Sequence, residues 1–370
     1  MKRRTFLQCG MAATMGTPLL AALQQARLDE AAEVLARAVA NGQVTAAVLH
    51  VTQRELTFTR WFGNAKSKDA MFLLGSITKP ICVTALMSLY DRGEFKLDDR
   101  LQKFIPAFVG GHRDEVTLRH LLTHVSGLPD QLAENNKLRR EHAGLSAFVE
   151  HAIRTPIGFA PGSKYQYSSM AILLACHVAQ TISGVGILEL VDRAVFQPLQ
   201  MKHSALGLGR FTLDDMVPCQ TERAAPESGG GDPTAKDWDW NSSYWRKLGA
   251  PWGGAHASAP DVGRFLAEFL SRRGAAVKPE TATLMTSNHN AAGVTPRGLG
   301  LNIGPAAGSP GCSEKTSGHS GSTGTIAWAD PATETICVVL TSLPGGAVSP
   351  HPRDLAAARV AAATRSEPRP

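Results

Sequence analysis

Apolar residues recur at helical spacing over residues 28–40, where alanine fills much of the run, and Asn41-Gly42 supplies a stop. Residues 46–51 and 56–62 are short apolar runs separated by Gln53-Arg54-Glu55, and they read as two strands and a turn. An apolar helical pattern covers 79–90 and ends near Gly93; Pro80 is tolerated there because it falls in the first turn. A loop with a short helix is expected over 97–105, and another short helix over 118–124, ended by Ser126-Gly127-Leu128-Pro129. Helices follow at 145–153, 169–181, 187–195 and 260–271, the last capped by Ser258. Strands are expected at 299–303, 325–328 and 335–340, and an alanine-rich helix at 352–364. The strands gather at the two ends of the chain, with a helical block between them over about 95–255. That pattern predicts an α+β fold: an antiparallel sheet built from both chain ends, flanked by helices, with an inserted mainly helical region. No internal repeat interrupts it.

Composition narrows the class. With 370 residues, 43% hydrophobic and 19% charged, the chain is globular and long enough for one large domain or two. The formal charge of +6 falls to about +3 once Lys2, Arg3 and Arg4 are set aside, too little and too scattered to argue for nucleic acid. Those three cations precede an apolar stretch from Cys9 to about Leu23. A basic start before a short apolar run predicts a secretory signal over residues 1–26, too short to span a bilayer. Arg3-Arg4 followed by Phe6-Leu7 resembles a twin-arginine signal, an ordinary secretory signal being the alternative. Cleavage after Ala22 or Ala26 fits either, and an exported protein, periplasmic or extracellular, is expected. No run of 18 apolar residues follows, so no membrane span is expected in the mature chain.

Beyond the signal stand Cys82, Cys176, Cys219, Cys312 and Cys337, an odd number at irregular spacing with no C-x-x-C. This is neither a disulfide scaffold nor a zinc site, although a Cys219–Cys312 bridge is conceivable in an oxidising compartment. Cys82 and Cys176 lie in apolar helical runs and read as small buried hydrophobes.

The candidate chemistry starts at Ser76-Ile77-Thr78-Lys79, where a short apolar run gives way to a helix. A serine at a helix start and a lysine three residues on share one face, which places an amine beside a nucleophile. Taken alone, the pair fits an N-cap serine and a solvated lysine equally well. Three further segments change that: Leu121-Leu122-Thr123-His124-Val125-Ser126-Gly127-Leu128-Pro129, Tyr165-Gln166-Tyr167-Ser168-Ser169, and Gly318-His319-Ser320-Gly321-Ser322-Thr323-Gly324-Thr325. Their order and separation, with Trp252-Gly253-Gly254 and Ser258-Ala259-Pro260-Asp261, resemble the serine β-lactamase-like family of class C β-lactamases, DD-peptidases and related esterases. The resemblance covers about residues 28–365, so residues 27–370 are expected to form one domain of that family.

The resemblance implies Ser76 as the nucleophile of an acyl-enzyme, with Lys79 and Tyr167 sharing the proton transfers. One oxyanion donor would be the N–H of Ser76 at the helix start, and the other that of Ser322. Unperturbed lysine and tyrosine must each shift by roughly 3 units to act as bases near neutrality. The two should titrate as a pair, so the base is assigned to neither. Gly321, His319 and Ser169 complete the implied substrate-binding set.

Two positions depart from the family pattern. The second box usually ends in Asn, where this chain has Ser169, which reaches less far. The third box often opens with Lys, where this chain has His319, mostly neutral at pH 7. Both changes favour an uncharged ester over β-lactam or D-Ala-D-Ala chemistry. A second register, opening at Lys315-Thr316-Ser317-Gly318, would restore the cation, but Gly321, Gly324 and Asp330-Pro331 match only the His319 register.

His120 and His124 have metal-ligand spacing but no intervening Glu and no third ligand, so packing or loop anchoring is the expected role and no metal or cofactor is expected. G-x-S-x-G does not occur, which excludes an α/β-hydrolase elbow. Residues 222–254 make a long irregular segment whose tryptophans either line an acyl pocket or pin the loop. Tyr165 reads as packing. The sequence therefore points to an exported serine hydrolase on a small ester or amide, most readily a carboxylesterase. A D-amino-acid or peptidoglycan peptidase, a weak β-lactamase and a non-catalytic sensor module are the alternatives, and oligomeric state is open.

Overall fold

The computed structural model describes residues 16–365. In chain order its strands are β1 (Ala46–Gln53), β2 (Leu56–Gly63), β3 (Phe72–Leu73), β4 (Ser204–Leu206), β5 (Ala255–Ala257), β6 (Asn302–Ile303), β7 (Ser317–Gly321), β8 (Thr325–Asp330) and β9 (Thr335–Thr341). Six of them form one antiparallel sheet in the order β2-β1-β9-β8-β7-β6. β1 lies between its hairpin partner β2 and β9 from the far end of the chain, in register from Ala47 opposite Thr341 to Gln53 opposite Thr335. This is the α+β sheet expected from the two chain ends.

The period-2 geometry of a strand sends alternate side chains to opposite faces. Leu49 and Val51 of β1 and Val339 of β9 face α1 (Gly16–Ala40) and pack with its Leu28 and Leu35. Val48 of β1 and Val338 and Leu340 of β9 face the other way, into the larger core of the helical region. Both faces are covered, which is why these strands read as apolar runs rather than as alternating ones. Each such leucine or valine, fully buried, contributes about 2 kcal/mol.

The helical region contains α2 (Thr78–Asp91), α3 (Leu118–Leu122), α4 (Asn135–Arg140), α5 (Leu145–Arg154), α6 (Ser169–Ser183), α7 (Ile187–Val191) and α8 (Ser243–Leu248). α9 (Ala259–Ser271) and α10 (Pro279–Met285) follow, and α11 (Pro352–Thr364) closes the chain beside α1. α2 and α6 pack on each other and are buried along nearly their whole lengths, as helices apolar all round must be. Among the described residues no single helix is long and apolar enough to cross a membrane.

Several sequence expectations shift. α1 begins at Gly16 rather than at 28, so the expected signal boundary falls inside a continuous helix. Lys2, Arg3, Arg4 and Cys9 lie outside the described residues. The helix expected over 187–195 ends at Val191 and continues as a π-helical turn, Asp192–Phe196. β3, β5 and β4 form a small second sheet that two- and three-residue strands do not announce by periodicity. The Cys219–Cys312 bridge is not formed: both thiols are free, Cys219 in the helical-region core and Cys312 on the α1 side of the large sheet.

Candidate active site

Ser76 is placed by contacts from both ends of the chain. After β3, Leu74 N–H donates to the Ala255 carbonyl (2.8 Å), and Gly75 turns with φ +56° into a 3₁₀ turn that leads into α2. Thr78 Oγ accepts from Ala255 N–H (3.0 Å), fixing the helix entry against β5. Lys79, three residues on, therefore faces the same way as Ser76. Its Nζ donates to Ser76 Oγ at 3.0 Å and to the Trp252 carbonyl at 2.8 Å. The lysine is 1% exposed and forms no salt bridge among the described residues. Burial pulls its pKa from 10.5 to about 7; the Asp130 carboxylate opposes that fall and the Arg297 guanidinium adds to it.

Tyr167 precedes α6. The N-cap Ser168 accepts from Ala171 N–H (2.9 Å) and donates to the Pro129 carbonyl (2.8 Å), which ties the tyrosine to the Ser126–Pro129 turn. Its ring centre lies 4.7 Å from Lys79 Nζ, with the Ser76 side chain beside its phenol. Burial pushes the phenol well above its ordinary value, and Ser76 only partly opposes this. The structure thus separates the pair: Lys79 loses its proton readily and Tyr167 holds its own.

Two imidazoles flank the phenol. The His124 ring lies 4.6 Å from that of Tyr167 and the His319 ring 6.1 Å. His124 Nδ1 accepts from Ser168 N–H (3.2 Å), so its proton sits on Nε2; His319 Nδ1 donates to the Ser320 carbonyl (2.7 Å), so its Nε2 carries a lone pair. Burial holds both well below the usual histidine range. Neither Nε2 has a partner among the described residues. Tyr165 packs edge-on against His124, as expected. His120 is not beside it as a ligand: it forms a capping box with Thr117 at the start of α3.

Arg297 is the residue that sequence reasoning missed. It is 3% exposed, and its Nε and Nη2 have no hydrogen-bond partner among the described residues. Its charge acts on Lys79, His124, Tyr167 and His319 alike. The third box lacks a cation, as His319 implies, yet a buried one stands behind the site. No motif signals it, because it arrives from the turn before β6.

The β7–β8 hairpin brings Ser322 to the nucleophile. Thr323 Oγ1 donates to the Leu73 carbonyl (2.6 Å) and Thr325 Oγ1 to the Leu74 carbonyl (2.7 Å). A Cβ on Gly321 would stand 2.2 Å from the Leu74 oxygen, so only glycine permits this approach. Ser322 N lies 3.1 Å from where a Cβ on Gly75 would be, directly beside the Ser76 turn. Ser322 N and the Ser76 turn are therefore close neighbours, the proximity that an oxyanion hole needs. Lys315 is exposed before β7 and lines a separate groove, so the register that meets Tyr167 is that of His319.

Over Ser76 is a cavity of about 160 Å³ lined by Lys79, Tyr167, Ser169, Asp130 and Ser322, with Trp240, Trp245 and Trp252 among its walls. His319 and Gly321, expected to bind substrate, are not among the residues lining this cavity; His319 stands beside Tyr167, and Gly321 lies in the hairpin. Ser169 lines it, but its N–H and Oγ both donate to Asp130 Oδ1, at 2.8 and 2.6 Å. The tryptophans serve both expected purposes: three line the cavity, while Trp238 is buried with Arg139 and Arg140 over its ring. A larger groove of about 770 Å³, lined by His50, Lys68, Arg264 and Arg273, lies along α9 away from these groups.

A serine and a tyrosine, both half-buried, around a buried lysine, between an antiparallel sheet and a helical region, define a serine hydrolase. The chain belongs to the beta-lactamase family, whose model matches residues 31–362. Esterase EstB of Burkholderia gladioli is 34% identical over 155 residues, 38% of this chain and 39% of that protein. A putative D-alanyl-D-alanine carboxypeptidase of Escherichia coli K12 is 26% identical over 217 residues, 52% and 50% of the two chains. The matched regions thus span half or less of these curated relatives. Among solved structures, EstCE1, a hydrolase with promiscuous acyltransferase activity, superposes with a TM-score of 0.72 at 19% identity over 93% of this chain and 100% of its own. The D-amino acid amidase of Ochrobactrum anthropi SV3 gives 0.72 at 22% identity over 91% and 98%. At these identities the structures speak to the fold.

Proposed function

We propose that this protein is an exported carboxylesterase working through an acyl-enzyme on Ser76. The observation that carries the reading is Lys79 Nζ, buried, 3.0 Å from Ser76 Oγ and drawn down to about 7. A neutral amine there takes the Oγ proton as the bond from Oγ to the substrate carbonyl carbon forms. The N–H groups of Ser76 and Ser322 hold the oxyanion. As the carbon–oxygen bond to the alcohol breaks, the Tyr167 phenol protonates the leaving oxygen and recovers its proton from the Lys79 ammonium. Water then adds through the reverse sequence, the acid leaves, and Ser76 regains its proton. The similarity to an esterase supports the choice of ester, as does a cavity lining that holds no guanidinium facing the nucleophile for a β-lactam carboxylate.

Initial rates on a short-chain nitrophenyl ester and a chromogenic cephalosporin, with Ser76→Ala as control, test this. The expected result is ester turnover that disappears in Ser76→Ala, with little cephalosporin cleavage. Dominant cephalosporin turnover would overturn the esterase reading. Export rests on Lys2, Arg3 and Arg4 before the apolar stretch. Cell fractionation checks it, and retention in the cytosol would remove it.

A further inference from the structure

Where family members carry an amide at the second box, this chain presents a carboxylate. An asparagine amide offers one donor and one acceptor to a substrate. Here Ser169 spends its Oγ proton on Asp130 Oδ1, and its backbone N–H goes to the same oxygen. Both donors at this corner are consumed. Asp130 lines the cavity, and its Oδ2 has no hydrogen-bond or salt-bridge partner among the described residues. A carboxylate oxygen accepts only, so this corner suits a substrate N–H and repels a substrate carbonyl.

The rest of the lining agrees. Glu227 adds a second acidic residue to the lining. The cations present are Lys79, which the mechanism uses as a neutral amine, and Arg139. The Arg139 guanidinium is turned away: it donates to the carbonyls of Glu227 (2.7 Å) and Trp238 (3.2 Å) and lies 4.1 Å over the Trp245 ring. Trp240 and Trp252 add aromatic walls of a kind that attracts organic cations, while Trp245 already carries the Arg139 guanidinium.

We propose that the ester or amide hydrolysed here carries a primary ammonium in its acyl portion, received by Asp130. This rests on the acyl-enzyme reading and names its substrate class. The ammonium belongs to the acyl portion because that part must stay in the cavity through both half-reactions, while the alcohol needs an exit. A cavity of about 160 Å³ is below the usual range for ligand pockets and suits a small aminoacyl group.

The test compares both enantiomers of alanine benzyl ester with benzyl isobutyrate, which replaces the ammonium by a methyl group. In the wild type, kcat/KM for one alanine ester should exceed that for the isobutyrate at least tenfold. In Asp130→Asn that ratio should fall by tenfold or more, whatever the absolute rates. A ratio unchanged by Asp130→Asn, or a wild type that prefers the isobutyrate, overturns the proposal. So does a preference for 2-aminoethyl isobutyrate, whose ammonium is in the alcohol, over both. If none of these esters turns over, the acyl-enzyme reading fails by itself. The ammonium site is then read by calorimetry of alanine benzyl ester on Ser76→Ala: binding that Asp130→Asn abolishes supports the site, and binding that survives it or is absent removes it.

Discussion

Lys79 Nζ stands 4.7 Å from the centre of the Tyr167 ring, and burial moves the two groups in opposite directions. The lysine becomes the easier of the two to deprotonate. A coupled pair that sequence alone leaves symmetric thus acquires a direction.

That direction sets the pH dependence. If neutral Lys79 is the base, kcat/KM rises with pH through about 7 and levels above it. Lys79→Met should abolish ester turnover. It should also remove a burden on the fold, because the lowered pKa means the unfolded chain binds more protons between about 7 and 10.5. Wild-type stability should therefore rise with pH across that window and be lowest below 7, by an amount on the order of 5 kcal/mol at most. Unfolding of both proteins at pH 6 and pH 9 checks this: the variant should gain on the wild type at pH 6.

Arg297, whose Nε and Nη2 have no partner among the described residues, supplies a positive charge that, after the larger effect of burial, helps to keep Lys79 low. Arg297→Met should move the acid limb of kcat/KM to higher pH and lower the rate at pH 7. Its melting temperature should hold or rise, since a buried unpaired guanidinium gives way to an apolar chain of similar length. A fall in stability with an unmoved pH profile would assign Arg297 a structural role instead.

The hairpin that carries Ser322 is held by close approach. Gly321→Ala must displace either the Leu74 carbonyl or the hairpin, costing about 3 kcal/mol and most of the activity. Thr323→Val removes one hydrogen bond, the one to the Leu73 carbonyl, at about 1 kcal/mol. Its signature should be a kcat loss of about tenfold with KM little changed, as expected for a disturbed oxyanion donor. Steady-state kinetics beside thermal melts separate the two variants.

All five described cysteines are free and buried, with Cys219 and Cys312 on opposite faces of the large sheet. Thermal unfolding should give the same midpoint with and without a thiol reductant. A reductant-dependent drop would mean that a bridge forms after all.

Ser76, Lys79 and Tyr167 were legible because their relation is local: a helix start, a spacing of three, and a tyrosine just before another helix. Both strand pairs at the chain ends were legible because their apolar runs are long. Arg297 was not, since it reaches the site through tertiary packing with no spacing to mark it; Asp130 and Trp252 lie beside or within recognised segments, but their contacts with Ser169 and Lys79 are tertiary. Asp130 changes what Ser169 means: by sequence the serine reads as a shortened asparagine, but it serves as a donor that anchors an acid. The early start of α1 has a similar cause. The apolar, alanine-rich stretch that reads as a signal is also a good helix former, and composition cannot separate the two.

β1 finds its second neighbour in β9, nearly three hundred residues later. No growing N-terminal fragment can close that sheet, so on the ribosome the hairpin of β1 and β2 waits with one edge unpaired until the last strand emerges. Folding is then governed by the return of β9, a slow closure over a long loop. Ser322 comes from the same late segment, so it cannot stand beside Ser76 until the β7–β8 hairpin has been made.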